Sequence, residues 1–375
     1  MDILIAPDSF KGSLTANQFI DILSGKLKKL KPTNKIIHSP LADGGEGSLD
    51  VLAQKPGFEV KKVEVYNPFF SKITAWYLFE TETKTAYIEM AKASGLIIID
   101  KPDVMNASSF GTGELIKHAI ENWAKKIILF IGGSATNDAG IGIANALNIN
   151  FLDIESNLLK PIGKNLLNIH SIDDSNSILR QNPTEILIAA DVNNPFYGKN
   201  GASYIYAPQK GANQNEVIAL DNGLRNISNL FSKYYNTNVH NIKGSGAAGG
   251  IGGGMIAMFN AKIISGSDLI FKLTGIENQI KMVDLVITGE GKIDNQTIND
   301  KLIFKLTKLA RKHNKKVWAV CGYFDGDEEL RKLLGIEKIF SLAKSKNEIN
   351  NAIKNAEIKL AEATNKITEA IKHKK

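Results

Sequence analysis

Five times along this chain a short apolar run, with few polar residues inside it, gives way to a turn crowded with glycine and charged or amide side chains. "DILIAP" leads into "DSFKGS" with Asp8 and Lys11, and "KIIHS" into "PLADGGEG" with Asp43 and Glu46. "KIILFI" leads into "GGSATNDAGIG" with Asn137 and Asp138, "EILIAA" into "DVNNPFYGKNGAS" with Asp191, and "VDLV" into "ITGEGKIDNQT" with Glu290, Lys292 and Asp294. Unbroken apolar runs suit strands buried on both faces of a parallel sheet, and such sheets bind ligands at the carboxyl ends of their strands.

Helical patterns separate the runs. "LTANQFIDILSGKLKKL" follows the first strand, and "DKLIFKLTKLARKH" and "EELRKLLG" alternate with "VDLVIT", "KVWAVCG" and "IEKIFSLA" near the other end. A last amphipathic helix is predicted over about 350–371, with apolar residues at Ile349, Ile353, Ala356, Leu360, Ala363 and Ile367. The two chain ends share one grammar. They are expected to form a single Rossmann-like, doubly wound parallel sheet of α/β class, from 1–70 plus 283–375. The middle differs: "FEVKKVEVY", "KITAWYLFE" and "TAYIEMA" follow one another too closely for crossovers and read as antiparallel. An inserted α+β domain over 71–282 is the expectation, with the active site in the cleft between the two.

Composition narrows the function classes. The net charge is +7, but it is spread over Lys-, Asn- and Ile-rich segments with no basic module, so no nucleic-acid partner is expected. Cys321 is the only cysteine, which rules out an internal disulfide and a thiolate zinc cluster. No apolar run approaches the roughly 18 residues that span a bilayer, and "MDILIAPDS" has no cationic leader, so a cytoplasmic protein with no membrane partner is expected. The sequence leaves open whether the chain forms a homo-oligomer.

Each of the five turns could be a capped helix start. In "ADGGEG", Asp43 as N-cap and Glu46 three residues later would make a capping box. Together they suit phosphoryl transfer, in which amides and a lysine hold phosphate oxygens, carboxylates hold magnesium and one base takes the hydroxyl proton. Acyl transfer fits poorly, because G-x-S-x-G is missing and the six histidines pair with no nucleophile. "GSGAAG" at 244–249 matches G-x-G-x-x-G but follows "VHNIK" rather than opening a βαβ unit, so tight packing explains it better. The P-loop pattern is absent.

"IAPDSFKGSLTA", "PLADGGEG", "YIEMAKASGL", "SSFGTGELI", "GGSATNDAGIG", "DVNNPFYGKNGAS", "APQKGA", "GSGAAGGIGGG" and "VITGEGKIDNQT" together resemble the bacterial type I glycerate kinase family, in its order, from residue 3 to about 300. The resemblance implies ATP- and Mg2+-dependent phosphorylation of D-glycerate at the 2-hydroxyl, with 3-phosphoglycerate as the alternative product. Within that frame Asp191 is the expected base and Asp43 the second choice. Lys11 is expected to hold the substrate carboxylate, with Asp8, Ser9, Gly44, Gly45, Glu46, Ser134 and Asn137 around the substrate. Gly289, Glu290, Gly291, Lys292 and Asp294 would face the nucleotide, with Glu290 or Asp294 reaching magnesium through water and the choice between them left open. Where the family reads G-E-G-R, this chain has Lys292, which keeps the charge and loses the bidentate fork. Asp300 stands where relatives have glycine, and Ile303 where they have proline.

Two rivals come from other classes. An NAD-dependent hydroxyacid dehydrogenase would use "GSGAAG". A sugar-acid sensor that binds DNA would need a separate basic module, which no segment supplies.

Overall fold

The structure is a computed structural model in which residues 1–10, 12–30, 35–298 and 301–372 are described. Lys11 and Asp300, both singled out above, lie outside the described residues. The strands run β1 (Ile3–Ile5), β2 (Ile36–His38), β3 (Phe58–Tyr66), β4 (Lys72–Glu80), β5 (Thr85–Glu89), β6 (Lys126–Phe130) and β7 (Asn150–Leu152). They continue with β8 (Ser171–Asp173), β9 (Glu185–Ala189), β10 (Lys262–Ile264), β11 (Leu285–Asp294), β12 (Lys316–Asp325) and β13 (Lys338–Ala343). The chain divides into two compact units, 1–43 with 267–375, and 44–266.

The first unit holds one all-parallel sheet in the order β13-β12-β11-β1-β2. From β1 the chain winds one way to β2 and later the other way through β11, β12 and β13, so the direction switches between β1 and β11. Helix Ala16–Leu30 opens with a capping box, in which Thr15 Oγ1 accepts from the Gln18 amide at 3.2 Å and Gln18 Oε1 from the Thr15 amide at 2.9 Å. Its Phe19, Ile20, Leu23 and Leu27 recur at helical spacing and are buried in the same core as Ile5, Ile287 and Trp318.

The second unit carries a six-stranded sheet, β10-β9-β6-β5-β4-β3, and a small β7-β8 hairpin. β3, β4 and β5 pair antiparallel as their spacing predicts, whereas β5, β6, β9 and β10 are parallel. β3 pairs with β4 residue for residue from Phe58↔Glu80 to Tyr66↔Lys72, so it belongs to this sheet. The boundary expected at 70 therefore lies at 43, and the one expected at 282 lies at 266.

Two element readings also change. "GEGKID" is not a loop, because β11 runs through it paired to β12 as far as Asp294↔Asp325. The single C-terminal helix is two, Ile349–Lys354 and Ala356–Lys372, separated at Asn355, whose amide nitrogen and side chain both turn back to Asn351.

Candidate active site

In the first unit the carboxyl edge of the sheet opens into a cavity of about 400 Å³, at the point where the strand order reverses. Asp8, Ser9, Asp43, Glu290 and Gly291 line one end, and Lys292 and Lys301 stand beside them. β1 and β11 position this end directly: the Asp8 amide donates to the Gly289 carbonyl at 2.9 Å, and Thr288 Oγ1 to the Ala6 carbonyl at 2.8 Å. Gly289 itself does not line the cavity and instead packs closely on Phe19 and Phe10, and Glu290 is the first residue of β11 to reach the opening. Burial pushes the Glu290 carboxyl up to about 7; Lys301 opposes that shift, while Asp294 and Asp43 reinforce it. Lys292 Nζ sits 3.0 Å from Asp294 and 3.0 Å from Asp325, so two carboxylates already match its charge. Toward β12 and β13 the lining turns apolar, with Tyr323, which pairs beside Lys292 in the sheet, and then Leu342, Ile349, Ala352 and Ile353.

In the second unit the loop Gly44–Gly47 lies over the carboxyl ends of the parallel strands. A Cβ placed on Gly132, just past β6, would come 2.4 Å from Gly45 Cα, so the two backbones approach to a distance that only glycine permits. A Cβ on Gly44 would meet the Ala189 carbonyl of β9 at 3.3 Å. Asp191 follows β9 directly and is half-buried, and its Oδ1 accepts from the Gly266 amide at 3.1 Å. Glu46 approaches the same strand ends, with its Oε2 near Gly133.

The capping box expected from Asp43 and Glu46 does not form. The N-cap of helix Ser48–Leu52 is Gly47, in a left-handed conformation with φ 90° and no side-chain cap. Glu89, at the end of β5, takes that role across 40 residues of sequence, accepting from the Gly47 amide at 3.1 Å and the Leu49 amide at 3.0 Å. Its carboxylate is fully buried, and burial raises its pKa to about 7.

The chain matches the family model described as "Glycerate kinase family" over residues 3–372. It is 36% identical to the glycerate 2-kinase of Escherichia coli K12, over 98% of this chain and 97% of that protein. It is 35% identical to the glycerate kinase of Haemophilus influenzae Rd, over the full length of both. The crystal structure of a Salmonella typhimurium LT2 chain, provisionally named glycerate kinase 2, covers 100% of this chain and 98% of its own, with TM-score 0.79 and 34% identity.

The chain belongs to the glycerate kinase family.

As a glycerate kinase family member it is a kinase, and its two-unit α/β fold agrees with that of the solved relative. Of the residues the sequence singles out, Asp8, Ser9, Asp43, Glu290, Gly291 and Lys292 share the first unit's cavity, with Asp294 beside it through Lys292. Gly44, Gly45, Glu46, Ser134, Asn137 and Asp191 belong to the second unit. Asn137 is buried, and its amide pairs with Ser203 at 3.2 Å. The adjacent Asp138 accepts from the Ser109 amide and hydroxyl at 2.8 and 2.7 Å and from the Gly140 and Gly142 amides, fixing the loop against two helix starts.

Sequence reasoning missed Lys210, although "APQKGA" is among the segments that resemble this kinase family. Lys210 is buried, and its Nζ donates to Ser134 Oγ at 2.8 Å and to the Thr136 carbonyl at 2.6 Å. No local signal marked it as buried, because its partners lie 76 and 74 residues away in sequence. "GSGAAG" is a packing element. Ala248, Gly249 and Gly250 are left-handed, a Cβ at Gly249 would meet the Thr136 carbonyl at 2.3 Å, and the Gly249 carbonyl accepts from the Ala139 amide. That geometry removes the motif on which the dehydrogenase reading depended. Among the described residues no helix is long and apolar enough to cross a membrane.

Proposed function

We propose that this protein transfers the γ-phosphoryl group of ATP to the 2-hydroxyl of D-glycerate, giving 2-phosphoglycerate and ADP. The observation that carries the reading is the cavity at the switch point of the first unit's sheet, where an open α/β sheet binds nucleotides. Glycerate as acceptor is supported by the names of the relatives, and the 2-hydroxyl by the name of the Escherichia coli protein.

In this reading the phosphates lie at the end bounded by Asp8, Asp43, Glu290 and the Gly291 backbone, with Lys301 the nearby cation. Lys292, held by Asp294 and Asp325, would steady that edge. Oxygen donors such as Asp8, Asp43 and Glu290 suit a hard cation. Among the described residues no three acidic, histidine or thiol groups are gathered tightly enough to hold a metal alone, which suits Mg2+, an ion usually bound by one or two carboxylates with phosphates and water. Bound there, Mg2+ would offset phosphate charge.

Glycerate is assigned to the strand-end loops of the second unit, with Gly44, Gly45, Glu46 and Ser134 around it and Asp191 as base. The glycerate oxygen forms a bond to the γ-phosphorus, the bridging β–γ oxygen bond breaks, ADP leaves, and the hydroxyl proton passes to Asp191. Positioning and charge stabilisation supply most of such catalysis. Release of ADP from ATP, followed by coupled absorbance, should require D-glycerate and Mg2+. Asp191→Asn should lower kcat by ~100-fold or more. Near-normal kcat in that variant would remove Asp191 from the role, and ADP release indifferent to glycerate would contradict the function.

A further inference from the structure

We propose that the apolar end of the first unit's cavity is the seat of the purine base of the phosphoryl donor, with Ile353 as its exposed contact. The inference rests on reading that cavity as the nucleotide site, and goes further by assigning the base to one wall.

The strand order grades the lining: toward β1, β2 and β11 it carries carboxylates, a glycine backbone and lysines together with Phe10, and toward β12 and β13 it ends in Tyr323, Leu342, Ile349, Ala352 and Ile353, with Tyr323 paired beside Lys292 where the two parts meet. Tyr323 and Leu342 come from the carboxyl ends of β12 and β13, and the rest from the short helix Ile349–Lys354. Ala352 is buried, whereas Ile353 keeps 45% of its surface exposed beside it. Of the apolar stripe, Ile349, Ala356, Leu360, Ala363 and Ile367 join or pack against one core with Leu23 and Leu27, as Ala352 does, whereas Ile353 does not and is left at the cavity.

An occupant that uses the whole cavity joins an apolar body to a polyanion. Glycerate is too small and too polar to use the apolar wall, whereas a purine nucleoside triphosphate has the required asymmetry. Pockets for ligands of that size run from roughly 300 to 1,000 Å³ and are mostly apolar with a few placed polar groups, which matches this one.

The test separates the two ends. KM for MgATP and KM for D-glycerate would be measured in the wild type, Ile353→Asp and the milder Ile353→Ser, with ADP and inorganic tripolyphosphate binding followed by calorimetry. Because Ile353 is partly exposed, both variants should fold, and Ile353→Ser carries the test if Ile353→Asp does not. The expected result is a rise of at least fivefold in KM for MgATP with Ile353→Asp, a smaller rise with Ile353→Ser and no change in KM for glycerate. ADP should bind more weakly to both variants, and tripolyphosphate equally to all three proteins. Unchanged KM for MgATP and unchanged ADP affinity would overturn the base assignment and leave the kinase reading standing. If the wild type turns over no ATP, the kinase reading fails, and ADP affinity alone then decides the wall.

Discussion

Folding takes the Lys210 ammonium out of water, and burial lowers its pKa from an ordinary 10.5 to about 7, with the Asp138 carboxylate opposing the shift. Between those values the unfolded chain binds the proton and the folded chain does not, so stability rises with pH across that window. The contribution is fully present above 10.5, is lost progressively as pH falls across that window, and is gone below 7. Lys210→Met removes the titration. The stability difference between wild type and variant, from urea unfolding, should therefore move in favour of the wild type by about 2 kcal/mol from pH 7 to pH 9. Parallel curves for the two proteins would mean that Lys210 is charged when folded. Because its Nζ holds Ser134 Oγ and the Thr136 carbonyl, the same residue fixes a loop assigned here to glycerate.

At the scale of elements, Glu89 joins β5 to the helix Ser48–Leu52 by accepting two of the amides that a helix start leaves without partners. Glu89→Ala would strand both in a buried setting and should cost about 2–4 kcal/mol, read as a lower urea midpoint. A change below about 0.5 kcal/mol would show that the helix start finds other acceptors. The sequence makes the strands and most helices legible because an apolar run or a 3.6-residue stripe is a local signal. β3 to β5 are legible as antiparallel for the same reason, their connections being too short for crossovers. Glu89 and Lys210 are not legible in that way, since their partners lie 40 to 76 residues away and nothing nearby marks an acid or a lysine as buried. The extension of β11 through "GEGKID" is hidden because its polar residues suggest a turn, whereas pairing to β12 decides it. The break at Asn355 is hidden because the apolar spacing continues across it.

At the scale of the whole molecule, the five strand-end turns remain the organising feature, divided between the two units. The first and last sit on the cavity of the first unit. The second leaves Asp43 in that cavity and Gly44 to Gly47 over the strand ends of the second unit, joined by the third and fourth. The boundary at 43 thus falls inside a single motif, which is why composition shifts along the chain gave it no mark. Fold class and family follow from patterns distributed over nearly the whole chain, whereas the role of any one carboxylate depends on distances that no pattern encodes. The central claim is phosphoryl transfer from ATP to the 2-hydroxyl of D-glycerate. It is tested most directly by phosphorus NMR of the product formed with ATP, Mg2+ and D-glycerate. A single new monoester resonance matching 2-phosphoglycerate, growing in step with ADP, is the expected result. The resonance of 3-phosphoglycerate, or ATP that stays intact, would contradict it.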